Sequence, residues 1–294
     1  MSTIAPARAL PRLTAIAAAI GILGACTSGS PLNAPTSAGA ADEPANAATP
    51  ATPVTPGSAP TGQDTPATPQ DQLEGSITVL AAASLTDAFT QLATQLEEQH
   101  PGVSVLVSFG SSTTLAQQVF EGAEADVYAS AGRTALDQLP DGFAADGGTA
   151  DIAANVLEIA VPPGNPGGVS GLTDFTRSDI DTVLCAETVP CGRAADEAFA
   201  TAALTPTPAS REIDVKATLS KVTLGEADAA IVYQSDVVSA GAAVEGVPIP
   251  AELNVSMAYP MLWSNTDPAT LAFVELVTGP PGLAALAEAG FGPP

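Results

Sequence analysis

The chain has 294 residues, with 32 acidic against 8 basic side chains, one histidine and three cysteines, and a formal net charge of −24. A balance that acidic, with no basic residue between Arg12 and Arg133, argues against nucleic acid and against electrostatic docking on anionic lipid. No G-x-x-x-x-G-K-[ST] run occurs, and one histidine with three scattered cysteines cannot build a histidine-rich or zinc-knuckle metal site. The 46 % hydrophobic content is ample for a globular core in part of the chain.

Residues 1–12 carry two arginines and no acid, and the apolar run Leu13 to Leu23 follows. The run is too short to span a bilayer as a mature helix and ends in small residues, which describes a signal peptide over residues 1–25. Its end, Leu23-Gly24-Ala25-Cys26, resembles the lipobox of bacterial lipoproteins, where the cysteine becomes the lipidated first residue. Cys26 is therefore the expected lipidation site, holding the mature chain on the outer side of the cell membrane; the alternative is an ordinary core cysteine. Residues 26–74 hold nine prolines and no aromatic residue. Such a stretch cannot bury enough apolar surface to offset its ordering entropy, and it reads as a disordered tether.

The folded unit begins at residue 75. Ile77 to Ala83 has the pattern of a buried strand. A helix follows, with Ser84 in the capping position and Leu85, Ala88, Phe89, Leu92 and Leu96 at helical spacing, ended by His100-Pro101-Gly102. Val103, Val105 and Val107 alternate with Ser104, Leu106 and Ser108 as a second strand. Gly110-Ser111-Ser112-Thr113 leads into a short helix carrying Leu115 and Val119, and Asp126 to Ser130 is a third strand. Further strands are predicted at 156–161, 181–185, 229–233 and 257–263. Helices are predicted at 192–203, 213–224 and 268–277, the last with Asp267 as cap and Pro268 at its first position. Strands alternating with helices give an α/β fold with a mostly parallel sheet.

Open α/β sheets bind ligands beyond the carboxyl ends of strands, where loops feed helix starts. Small hydroxylated residues stand at such places twice, around Ser84 and around Ser111 and Ser112. Unpaired amides at a helix start carry a partial positive field, and a serine hydroxyl adds a donor. Two such starts facing one cleft would hold a small oxyanion through neutral donors. Taken alone, the same serines and threonines also read as ordinary N-caps.

The order Ala82-Ala83-Ser84-Leu85, then Phe109-Gly-Ser-Ser112-Thr-Thr-Leu-Ala116, then Gly122-Ala-Glu-Ala-Asp126-Val-Tyr-Ala-Ser130-Ala131 resembles the N-terminal lobe of ModA-type periplasmic molybdate-binding proteins. The likeness continues in Thr188-Val-Pro-Cys-Gly192 and in Gly225-Glu-Ala-Asp-Ala-Ala-Ile-Val-Tyr233, and covers essentially all of 76–294. The resemblance implies a type II periplasmic-binding-protein fold, two lobes of mixed, mostly parallel sheet flanked by helices, with the ligand in the cleft between them. Lobe I would be 75–157 with 256–294 and lobe II 158–255, joined by crossing segments near 156–161 and 248–258. It implies the substrate-binding component of an ABC importer that delivers molybdate to a membrane permease and its ATPase; tungstate, nearly the same size, is not expected to be separated from it by this site. The resemblance places hydroxyl donors at Ser84, Ser112 and Tyr233 and backbone amides at Cys191 and Val215, with Ser111 as a further possible contact. Cys191 stands where the family usually has alanine, which leaves an amide contact intact because every residue but proline carries the same N–H. No cofactor and no directly coordinated metal cation is expected, and the protein is expected to be a monomer. Outside the cytoplasm Cys185 and Cys191 are expected to pair as a disulfide; the alternative is two free, buried thiols.

Asp126, Asp228 and Asp236 read as capping, turn and surface groups, His100 as exposed and inert, and Tyr259 and Trp263 as core or hinge packing. Another tetrahedral oxyanion such as sulfate or phosphate is the nearest alternative ligand. Phosphate keeps a proton near neutral pH, for which a site made only of donors has no acceptor. A secreted serine hydrolase is the remote alternative. Its only imidazole base would be His100, no G-x-S-x-G elbow exists, and a Ser–Lys pair with Lys216 or Lys221 would be needed instead. A surface adhesin or interaction module is permitted by the tether but not required by any motif.

Overall fold

The computed structural model describes residues 73–294. The signal peptide, Cys26 and all but the last two residues of the predicted tether lie outside the described residues. The first elements are β1 (Glu74–Ala82), α1 (Thr86–Gln99), β2 (Gly102–Gly110), α2 (Ser112–Phe120) and β3 (Val127–Ala129). The long β4 (Gly148–Val161) is followed by β5 (Thr182–Cys185), α3 (Pro190–Thr201), β6 (Ser210–Glu212), α4 (Val215–Thr223), β7 (Ala229–Tyr233), α5 (Gln234–Ala240) and β8 (Glu245–Pro248). The chain ends in β9 (Ser256–Trp263), α6 (Pro268–Thr278) and α7 (Pro280–Glu288).

Ile77, Val79, Leu80, Ala81 and Ala82 of β1 are all buried, as expected of a strand covered on both faces. The apolar stripe of α1 (Ala88, Phe89, Leu92, Ala93, Leu96) is buried as its spacing predicts. Phe89 meets Phe273 of α6 edge-on at 5.8 Å between ring centroids. Asp126 and Asp228 do the same work at the entrances of β3 and β7. Each accepts the amide of a residue in or just before the neighbouring strand, Thr78 at 2.7 Å and Asp181 at 2.8 Å.

The sheet runs β2-β1-β3-β9-β4-β7-β5-β6, with β8 also paired to β4. Parallel pairing is confined to β1 with β2 and β3, and to β5 with β6 and β7. Every pair that includes β4 or β9 is antiparallel. The centre of the sheet is thus antiparallel where a mostly parallel sheet is predicted. The reason is that neither strand belongs to a βαβ unit: β4 carries the chain across the molecule, and β9 receives it on its return. From Gly148 to Val156, β4 pairs with β9; from Leu157 onward it pairs with β7 and β8. Two half-sheets therefore share one strand, and the pairing hands over between Val156 and Leu157. The predicted strand at 156–161 is only the end of β4, because the polar and small residues of its first half, Thr149 to Asn155, carry no strand period. The short β6 and β8 and the helices α5 and α7 are further elements that the sequence reading leaves out.

The other passage between the halves is the segment from Ile249 to Val255. Asn254 fastens it to β4: its Oδ1 accepts the Leu157 amide at 2.9 Å and its Nδ2 donates to the Leu157 carbonyl at 2.8 Å. A single side chain satisfies both backbone groups of the residue at which the pairing hands over. Asn254→Ala leaves two partly buried backbone groups without their partner, and is expected to lower unfolding free energy by about 1–3 kcal/mol in urea denaturation. Parental stability in that variant would show the clamp to be idle.

Candidate functional site

The starts of four helices and the end of β7 come together between the half-sheets. The cleft is lined by Ala82 to Ser84, Gly110 to Ser112, Ala131, Val189 to Cys191, Asp214, Val215 and Tyr233, around about 230 Å³ of empty space. All five residues expected as contacts, Ser84, Ser112, Cys191, Val215 and Tyr233, line it, together with Ser111. Each is buried, from 1 % exposed for Ser112 and Tyr233 to 7 % for Ser111.

Local sequence explains each placement. Ser84 lies in a 3-10 turn, Ala83–Leu85, that runs straight into α1. It does not cap the helix as predicted; its hydroxyl is instead 2.9 Å from the Tyr259 hydroxyl. Ser111 is the N-cap of α2 and Ser112 its first residue, and neither hydroxyl caps the helix. The Ser112 hydroxyl accepts the Ala131 amide at 3.0 Å, which leaves its own proton free to donate. In α3, Pro190 takes the first position, where a missing N–H costs nothing, and Cys191 the next. Val215 opens α4 behind Asp214, whose carboxylate caps the helix by accepting the Ala217 amide at 2.8 Å. The amides of Ser112, Cys191 and Val215 are first-turn donors without intrahelical acceptors, each at the positive end of a helix dipole.

Two buried hydroxyls in this cleft, those of Ser111 and Tyr233, have no hydrogen-bond partner. Buried polar groups are almost always paired, so two unpaired donors in one small cleft equip it to receive an acceptor. Burial pushes the Tyr233 hydroxyl well above its ordinary pKa, with Tyr259 and Asp236 adding to the shift. It therefore remains a neutral donor. No lysine or arginine lines the cleft, and the nearby Arg193 is turned to the Thr188 carbonyl and, at 3.3 Å, to the Thr113 hydroxyl.

Cys185 and Cys191 form a disulfide with a Cα–Cα separation of 5.7 Å. It ties the end of β5 to the first turn of α3. Gly192 completes that arrangement, since a Cβ there would lie 1.9 Å from the Ala186 carbonyl oxygen. Tyr259 is fully buried and does not reach the cleft; it packs edge-on against Tyr233 at 6.2 Å and Phe291 at 5.1 Å. It supports two predicted contacts at once, Ser84 by a hydrogen bond and Tyr233 by ring packing. The sequence carries only one signal for that role, a tyrosine on an apolar strand.

Asp236 departs from its surface reading. It is fully buried on α5, its Oδ2 accepts the Tyr233 amide at 3.1 Å, and Lys216 stands 3.5 Å from its Oδ1.

Two half-sheets joined through β4 and the segment from Ile249 to Val255, with helix starts facing one cleft that holds no lysine or arginine, define a protein of the solute-binding class. The comparisons agree. Residues 77–292 match the family model described as bacterial extracellular solute-binding protein. The chain is 36 % identical over 239 residues to the molybdate-binding protein ModA of Mycobacterium tuberculosis, covering 79 % of this chain and 92 % of that one. To the ModA of Escherichia coli it is 33 % identical over 236 residues, covering 74 % and 89 %. The periplasmic molybdate-binding protein of Azotobacter vinelandii shares the fold with a TM-score of 0.64 at 22 % identity, over 74 % of this chain and 99 % of that one. The chain belongs to the bacterial extracellular solute-binding family, alongside the ModA proteins.

Burial pushes the Asp236 carboxyl up from 3.8 to about 6, against the pull of the Lys216 ammonium and the Tyr233 amide. The folded protein then holds this proton at pH values where the unfolded chain has released it. Stability from this group is present below about pH 4 and lost as pH rises through 6, by up to about 3 kcal/mol. Urea melts should show the parent losing stability relative to Asp236→Asn between pH 4 and pH 7. A difference that stays flat over that range would mean the carboxyl titrates normally.

Proposed function

We propose that this protein is the extracytoplasmic substrate-binding component of an ABC importer, binding molybdate, and equally tungstate, for delivery to a membrane permease and its ATPase. The observation that carries the reading is the set of buried, uncharged donors at converging helix starts, two of them hydroxyls without any partner. Ser84, Ser111, Ser112 and Tyr233 offer hydroxyls, and Cys191 and Val215 offer amides. Donors in contact with the anion act inside the cleft, whereas the acidic background is screened over about 8 Å at physiological salt. Charge-assisted hydrogen bonds contribute roughly 1.5–3 kcal/mol each, so several converging on one dianion outweigh that background. The ligand lies between lobe I, residues 75–157 and 256–294, and lobe II, residues 158–255, and the protein acts as a monomer.

Catalysis has no support in the site. His100 ends α1 and faces Ala272, Glu275 and Pro280, away from the cleft. The Lys216 ammonium bonds to Asp87 and Ser239 and to none of the cleft serines. One observation favours a different ligand, hydrogen phosphate: Asp214 brings a carboxylate to the cleft wall, an acceptor that a protonated oxyanion could use. Calorimetry with molybdate, tungstate, sulfate and phosphate separates these. Molybdate and tungstate are expected to bind alike and far above the other two, and a preference for phosphate would transfer the function to that anion.

Ser112→Ala and Tyr233→Phe should each weaken molybdate binding ten-fold or more, about 1.4 kcal/mol per decade, with little dependence on salt. Ser111→Ala is expected to do the same, because its hydroxyl has no other task. If Ser112→Ala and Tyr233→Phe both bind like the parent, the site is elsewhere. The anchor rests on a different observation, the Arg-bearing start and Leu-Gly-Ala-Cys26. Intact-mass analysis of membrane-extracted protein should find a diacylglyceryl or triacyl adduct on Cys26, and an unmodified terminus elsewhere would remove the lipid from this account.

A further inference from the structure

On one flank of the cleft, a lysine stands between two carboxylates that come from opposite half-sheets. Lys216 follows the cleft residue Val215 on α4. Its ammonium lies 3.3 Å from Oδ2 of Asp87, in the first turn of α1, and 3.5 Å from Oδ1 of Asp236 on α5. Ser239 of α5 completes the cluster: its hydroxyl donates to the same Asp87 oxygen and lies 3.3 Å from the ammonium. Both ends of the cluster lead to the cleft. Asp87 is three residues beyond Ser84, and Asp236 accepts the backbone amide of Tyr233. Although burial works against its charged form, the Ser239 hydroxyl and the Lys216 ammonium hold the Asp87 carboxyl below its ordinary range.

The geometry points to Lys216 and Asp87 as a latch across the cleft, a pair of positioning residues that touch no ligand but slow its escape by holding the closed lobes together. This rests on the solute-binding reading above. Lys216 already belongs with Asp236 inside its own half, so opening the cleft separates it from Asp87 alone. The latch therefore acts on dissociation, since its contacts across the cleft exist only after closure, and leaves the encounter rate nearly untouched.

Charge removal separates this from a simple field effect, because the two give opposite signs. Asp87→Asn removes a negative charge beside an anion site; if only the field mattered, molybdate would bind more tightly. With the latch, Asp87→Asn and Lys216→Met should each raise the molybdate dissociation rate at least five-fold in stopped-flow displacement by tungstate. The association rate should stay within about two-fold, and the double variant should be no worse than Lys216→Met alone. Ser239→Ala, which keeps every charge, should show a smaller rise of the same kind. Tighter binding by Asp87→Asn, or dissociation rates within two-fold of the parent in both charge variants, overturns the latch while leaving the site intact. A change in association rate alone overturns it too, in favour of steering. Failure of the parent to bind molybdate at all overturns the site reading and the latch together, and is seen before any variant is made.

Discussion

The structure depends on one constraint: several helix starts converge on one buried cleft, and two hydroxyls beside them have no partner. A first-turn amide ordinarily finds water or a capping side chain. Here the candidate caps are withheld. Ser111 stands at the N-cap of α2 with its hydroxyl unpaired, and Ser84 is turned to Tyr259 instead of to its own helix. Among α1 to α4, only α4 is capped from the side, by Asp214. On the function proposed above a ligand completes the set, and for that it has to be an acceptor on several sides at once. A small oxyanion meets that requirement with no help from lysine or arginine.

Around this constraint the supporting parts take their places. The disulfide and Gly192 fix where the first turn of α3 can lie, so the Cys191 amide is aimed by covalent and steric means, not by its side chain. Tyr259 fixes Ser84 and Tyr233 from behind. Asp236 is the costly element: a fully buried carboxylate, raised in pKa, with one oxygen on the Tyr233 amide and the other near Lys216.

Most of the outline was legible in the chain because it is written in local patterns. The buried runs of β1 and β7, the stripe of α1 and the Asp-Pro start of α6 are read within a few residues, and they appear where expected. The five expected contacts, which came by family resemblance and not from spacing, all line one cleft. What could not be read is non-local. The first half of β4 has no strand period of its own and is a strand because β9 lies beside it. The antiparallel centre follows from the chain crossing twice, which no window of sequence reports. Asp236 looks like any surface acid on a short helix, and only the packing of α4 over α5 buries it. The unpaired hydroxyl of Ser111, as against the bonded one of Ser112, is likewise a fact of packing that two adjacent serines cannot announce.

The handover of β4 between Val156 and Leu157 also limits how the molecule can move. Its two connections run close together there, and Asn254 holds them to one another through both backbone groups of Leu157. A pair of strings tied at one point permits little twisting and no sliding, so the soft coordinate that remains is a bend about the knot. Residues near the knot travel little in such a bend, while those far from it travel most. An opening between the half-sheets would therefore be graded along the cleft, narrow near the knot and wide far from it.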